Sequence, residues 1–132
     1  PLLITEKTGN MIGCIHAGWR GLQSQVIENF FENLNTLPRR DFRVLLGPCI
    51  SQAKYEVDDT IMSNFSKYSK RFKKNKSGNY YMDLRHIAYD ILTELGVTNV
   101  TISKACTFND DFYSYRKDKI TGRFISLIWF NK

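Results

Sequence analysis

The chain has 132 residues, with 19 Lys+Arg against 13 Asp+Glu and a formal net charge of +6. Hydrophobic residues at 42% and charged residues at 24% match an ordinary globular domain and exclude a disordered chain. No apolar run approaches the roughly 20 residues of a membrane span, the first residues lack a signal peptide's basic and apolar regions, and three cysteines do not make a disulfide scaffold. These features predict one cytoplasmic domain with reduced thiols, long enough to fold without a metal or a disulfide.

Residues 1–5 and 11–16 are short apolar runs around Thr8-Gly9-Asn10, a pattern for two strands and a tight turn. The continuous apolar run Met11-Ile12-Gly13-Cys14-Ile15 predicts a strand buried on both faces. His16-Ala17-Gly18-Trp19-Arg20-Gly21 is a glycine-punctuated turn. Leu22, Val26, Ile27, Phe30, Phe31 and Leu34 then repeat at helical spacing. Phe42 to Leu46 reads as a strand stopped by Gly47-Pro48. Val57, Ile61, Met62 and Phe65 mark a second amphipathic segment. Lys67, Lys70, Arg71, Lys73, Lys74 and Lys76 follow it. They flank a Ser-Gly-Asn turn and read as a solvated loop; no nucleic-acid motif accompanies them. Tyr80-Tyr81-Met82 is a short extended piece, and Asp83 is placed to cap a helix over Leu84, Ile87, Ala88, Ile91, Leu92 and Leu95, with Gly96 as its stop. Val100 to Ser103 is a strand. Residues 123–130, uncharged from Phe124 onward, read as the last strand, central and buried. The alternation of strands and helices predicts an α/β layered domain with a mixed sheet. The chain starts without methionine and directly in a strand, as the cut end of a larger sheet would.

Two histidines are present. His86 lies off the apolar stripe of its helix, in a structural or surface role. His16 follows a strand, and side chains at strand ends point into the crevice where α/β proteins bind ligands. Arg20 adds a five-donor fork suited to phosphate or carboxylate. Cys14 shares the strand face of His16, which fits either a metal pair or a small hydrophobe. Cys49, at another strand end, fits a nucleophile with His16 as base. Cys106 follows the strand at 100–103 and reaches the same kind of crevice. No Cys-x-x-Cys zinc spacing occurs. Phe112-Tyr113-Ser114-Tyr115-Arg116 sets aromatic rings beside a guanidinium, a combination that fits either a flat heterocycle bearing phosphate or a core plug with Arg116 paired to Asp110, Asp111 or Asp118.

Taken in order, His16-Ala17-Gly18-Trp19-Arg20-Gly21, Leu46-Gly47-Pro48, Tyr55-Glu56-Val57, Cys106-Thr107, Phe112-Tyr113-Ser114-Tyr115-Arg116-Lys117-Asp118, Thr121-Gly122-Arg123 and Ser126-Leu127-Ile128-Trp129 resemble the YfiH family across essentially the whole chain. That family is also called the laccase-domain, multicopper polyphenol oxidase-like or peptidoglycan editing factor family. The resemblance implies a mixed-sheet layered α/β sandwich related to cysteine hydrolases. It implies purine nucleoside phosphorylase activity, with adenosine deaminase and methylthioadenosine phosphorylase activity beside it. The partners would be a purine nucleoside and phosphate, with neither nucleic acid nor membrane. It implies a metal, zinc or alternatively copper, on two histidines and a cysteine. His16 matches the last of these ligands. The cysteine belongs to an Asp-Cys-x-Pro stretch of which Pro1 looks like the proline, so the other ligands fall outside this chain, and the chain resembles the C-terminal portion of a member. By its residues His16 and Arg20 are the catalytic candidates, and Arg116, Tyr115 and Phe112 the substrate-binding ones. Two rivals stand beside this: a copper polyphenol oxidase, which two histidines serve poorly, and a catalytically incomplete binding or regulatory module.

Overall fold

The computed structural model describes residues 1–34, 36–109 and 111–131. The strand β1 (Leu2–Glu6) turns at Gly9, whose φ of 75° suits a residue without Cβ, into β2 (Ile12–Ile15). Both strands join β3 (Phe42–Leu46) and β7 (Asn99–Ile102) in a four-stranded sheet of order β2-β1-β3-β7. Pairing is antiparallel for β2/β1 and β1/β3 and parallel for β3/β7, the mixed sheet that the alternating elements predict. A three-stranded antiparallel sheet, β4 (Glu56–Val57), β6 (Tyr80–Met82) and β5 (Phe72–Lys74), lies between β3 and β7 in the chain.

The register places Leu2, Ile4, Phe42, Val44 and Leu46 on one face of the larger sheet. There they share a core with Leu22 of α1 (Trp19–Gln23), with Ile27 and Phe31 of α2 (Val26–Glu32) and with Ile87, Ala88, Ile91 and Leu92 of α4 (Leu84–Glu94). Phe31 stands edge-on between Phe30 and Phe42, at 5.3 and 5.1 Å between centroids. The short α3 (Asp59–Asn64) precedes the basic segment and is capped by Asp58, whose carboxylate accepts from the Ile61 N–H. Asp83 caps α4 in the same way, and Gly96, with φ of 85°, ends it. His86 serves that cap, its Nδ1 lying 2.8 Å from Asp83 Oδ2. The basic segment is tied to α4: Arg71 forms a bidentate pair with Asp90, and Lys67 meets Glu94 at 2.6 Å.

Three expectations are corrected. The helical repeat from Leu22 to Leu34 is two helices, because the chain breaks at Gln25 in a left-handed conformation (φ 57°). β2 is an edge strand with Cys14 exposed, so it is not buried on both faces. Residues 123–130 form no strand and are not central. They cross the outer face of the sheet, where Ile128 shares a cleft with Leu3, Thr5, Arg43, Leu45 and Thr101. A chain lying over a sheet rather than beside its edge finds no ladder partner, and no backbone–backbone bond joins 121–131 to another described residue. The segment stays extended. Ser126 and Ile128 turn toward the sheet, while Ile125, Leu127 and Trp129 are 79%, 67% and 73% exposed.

Candidate functional site

The sheet brings together the ends of β2, β3 and β7. From β2 the chain delivers His16, then bends at Ala17-Gly18 into α1. A Cβ on Gly18 would stand 3.3 Å from His16 Nε2, so the missing side chain leaves the imidazole its place. From β3 the chain passes Gly47-Pro48 to Cys49. Cys49 pairs in a parallel bridge with Cys106, beyond the end of β7. Leu84, at the start of α4, closes one side. Tyr113, Arg123, Phe124 and Ser126 of the C-terminal segment close the other.

These residues enclose a cavity of about 530 Å³. Its wall is mostly apolar, with His16, Cys14, Cys49, Thr107 and Arg123 as the groups that carry chemistry. An apolar hollow with a few convergent polar groups is the usual form of a small-molecule site. Tyr113 packs against Gly122, the residue before Arg123: a Cβ there would stand 3.1 Å from its ring. Phe112 lies behind Phe124, ring centroids 5.3 Å apart.

Of the residues singled out from the sequence, His16 lines this cavity. Arg20, Arg116, Tyr115 and Phe112 do not. Arg20 lies over the Trp19 ring, 4.6 Å from its centroid, and Arg116 lies against Tyr55. The Arg116 guanidinium lies 4.9 Å from the Tyr55 ring centroid and donates to the Glu56 carbonyl at 2.7 Å. Burial raises the Tyr55 pKa, the Arg116 and Arg20 charges oppose that rise, and Cys49 adds to it. Arg116 makes no ion pair with Asp111 or Asp118 among the described residues; Asp110, the third carboxylate weighed for it, lies outside them. Tyr115 is exposed on the one-turn helix α5 (Tyr115–Asp118).

Tyr113 and Arg123 line the cavity without having been singled out from the sequence as candidates. Both stand inside the quoted motifs, but a neighbour in sequence, Tyr115 or Arg116, drew the assignment. The bend at Lys119-Ile120, where Lys119 has a φ of 62°, precedes the stretch that carries Arg123 to the cavity.

The metal implied by the resemblance does not fit this chain alone. Cys14, His16 and Cys49 share a wall, yet no three His, Cys, Asp or Glu side chains among the described residues come together as a metal set. No helix of the described residues is long and apolar enough to cross a membrane.

A family model described as multi-copper polyphenol oxidoreductase laccase matches residues 1–131. A Haemophilus influenzae protein named purine nucleoside phosphorylase is 34% identical over 138 residues, covering 98% of this chain and 56% of its own length. Escherichia coli purine nucleoside phosphorylase YfiH is 33% identical, with 98% and 55% covered. The crystal structure of a Neisseria meningitidis protein superposes with a TM-score of 0.83 at 31% identity, over 89% of this chain and 50% of that one. YlmD from Geobacillus stearothermophilus, at 24% identity and a TM-score of 0.82, shares the fold. The chain spans a little over half the length of the curated relatives it matches.

Proposed function

The chain belongs to the multi-copper polyphenol oxidoreductase laccase family, the family of YfiH, and from that membership we propose that it forms part of a purine nucleoside phosphorylase. The observation that carries this is the cavity at the strand ends, which sets His16 and Arg123 in an apolar wall beside Tyr113 and Phe124. A purine is a flat, polarisable heterocycle, and two aromatic rings on one wall suit its faces.

In phosphorolysis a phosphate oxygen attacks the ribose carbon that bears the base, and the base leaves with the bond's electron pair. The chain's task is to hold the anion against that carbon and to receive the charge that grows on the base. Arg20, on the helix that follows His16, and Arg116, held against Tyr55 and the Glu56 carbonyl, are the candidates for the first part. Arg123 supplies a further cation on the wall itself. His16, at the mouth of β2, fits a proton carrier to the leaving base or a ligand to a metal completed from outside this chain. Adenosine deamination, methylthioadenosine phosphorolysis and a cytoplasmic setting belong to the same proposal.

The test is phosphate-dependent release of free base from inosine and adenosine, with His16→Ala as control. Base release that needs phosphate and falls with His16→Ala supports the reading. Release that is indifferent to phosphate overturns it. Oxidation of a phenol with uptake of oxygen would favour the copper oxidase suggested by the family model's description. Two histidines in the chain serve that chemistry poorly.

A further inference from the structure

One thiol of the cavity wall, Cys49, stands beside a buried thiol, Cys106, and phosphorolysis uses neither. We propose that Cys49 and Cys106 form a reversible disulfide, Cys49 being the thiol that meets a hydroperoxide and Cys106 the thiol that resolves it. The two residues face each other in an isolated parallel bridge, and the Thr107 N–H donates to the Cys49 carbonyl at 3.1 Å. Adjacent strands run about 4.8 Å apart, inside the roughly 4.4–6.8 Å between Cα atoms that a disulfide spans.

Each sulfur has the surroundings its step requires. Cys49 is half-buried and lines the cavity, so a small oxidant reaches it. The Arg85 guanidinium donates to its sulfur through Nε at 3.4 Å and holds it in place. The same guanidinium donates through Nη2 to the carbonyls of Cys49 and Ala105, at 3.3 and 2.7 Å, and so clamps the two loops together. Cys106 is buried and closed to direct oxidation. The Ser51 N–H donates to its sulfur at 3.3 Å, and Ser51 Oγ lies 3.2 Å away. Burial pushes the Cys106 thiol up, but hydrogen bonds from Ser51 and from the backbone N–H groups of Phe108 and Asn109 outweigh it and hold the thiol below its ordinary value.

In the first step the Cys49 sulfur attacks one oxygen of the peroxide. The O–O bond breaks, water or alcohol leaves, and Cys49 becomes a sulfenic acid. The Cys106 thiolate then attacks the Cys49 sulfur and displaces its oxygen, which leaves as water. The two thiols together lose two electrons and two protons, and one hydrogen peroxide becomes two waters. Thioredoxin- or glutathione-type thiols reverse the bond by exchange.

The experiment exposes the full chain to hydrogen peroxide, blocks remaining thiols with iodoacetamide and maps tryptic peptides by mass. The expected result is loss of two of the three alkylatable thiols and a link between peptides 44–54 and 105–116. Cys14→Ser should leave that link intact. Cys106→Ser should leave a dimedone-reactive sulfenic acid at Cys49, and Cys49→Ser should protect Cys106. A link through Cys14, a link between two molecules, or three thiols still alkylated after peroxide would each overturn the proposal. Because wild type and Cys14→Ser suffice for these outcomes, a misfolded Cys106→Ser does not shield it.

Discussion

Arg116 is exposed, yet its guanidinium is stacked on Tyr55 and bonded to the Glu56 carbonyl. Lysine keeps the charge but loses both the planar stack and the fork. If Arg116 holds phosphate, Arg116→Lys should lower phosphorolysis roughly tenfold or more, since a hydrogen bond to a charged group contributes about 1.5–3 kcal/mol. Its melting temperature should change little. Normal turnover with a lowered melting temperature would instead make Arg116 a clamp between the C-terminal segment and β4. Asp83 has a purely structural role: its carboxylate accepts from the His86 N–H and meets the His86 ring. Asp83→Ala should cost about 1 kcal/mol in urea unfolding. A midpoint equal to wild type would show that the cap contributes nothing.

At the level of elements, the break between α1 and α2 is the clearest departure from pattern. Gln25 holds a left-handed conformation that costs an L-residue roughly 1–2 kcal/mol, so Gln25→Gly should stabilise the protein by about 0.5–1 kcal/mol. A loss of stability would mean that the Gln25 side chain makes up for its backbone. α4 carries a pH dependence of its own. The Arg71 hydrogen bonds hold the Asp90 carboxyl below the usual carboxylate range. A depressed folded pKa means that the pair stabilises fully above the unfolded pKa and fades as pH falls through the lower folded value. Asp90→Asn should therefore narrow the stability gap between neutral and acidic pH; an unchanged acid-unfolding curve would remove Asp90 from acid stability. α4 was legible because cap, apolar stripe and terminal glycine all agree. The break at Gln25 was not, because Val26, Ile27, Phe30 and Phe31 continue a helical repeat across it. Residues 123–130 have a strand's composition without a strand's neighbours, and pairing partners are tertiary information. His16 was legible in the site because it sits at the end of a strand, whereas the cavity side of the Tyr113 to Arg123 segment depends on how that segment folds back over β2.

Among the described residues, one sheet face is packed by helices and the other is crossed by the C-terminal segment. If His16 is a metal ligand, as the resemblance implies, it is one donor where zinc sites use three or four. Zinc should leave the 132-residue chain on dialysis against a chelator; stoichiometric zinc retained by the chain would overturn this and point to Cys14 and Cys49 as added ligands. The outer face makes a separate demand. Ile125, Leu127 and Trp129 project away from the sheet, and the backbone that carries them has no ladder partner among the described residues. Such a segment stabilises the fold little but invites edge pairing with another chain. Leu127→Ala should then cost less than about 0.5 kcal/mol, as surface substitutions do, rather than the roughly 2–5 kcal/mol of a core truncation. Leu127→Lys combined with Trp129→Lys should leave the melting temperature in place and raise the concentration at which light scattering begins. If the double variant unfolds, the segment is part of the packed core after all. If scattering begins at the same concentration, association proceeds through another surface.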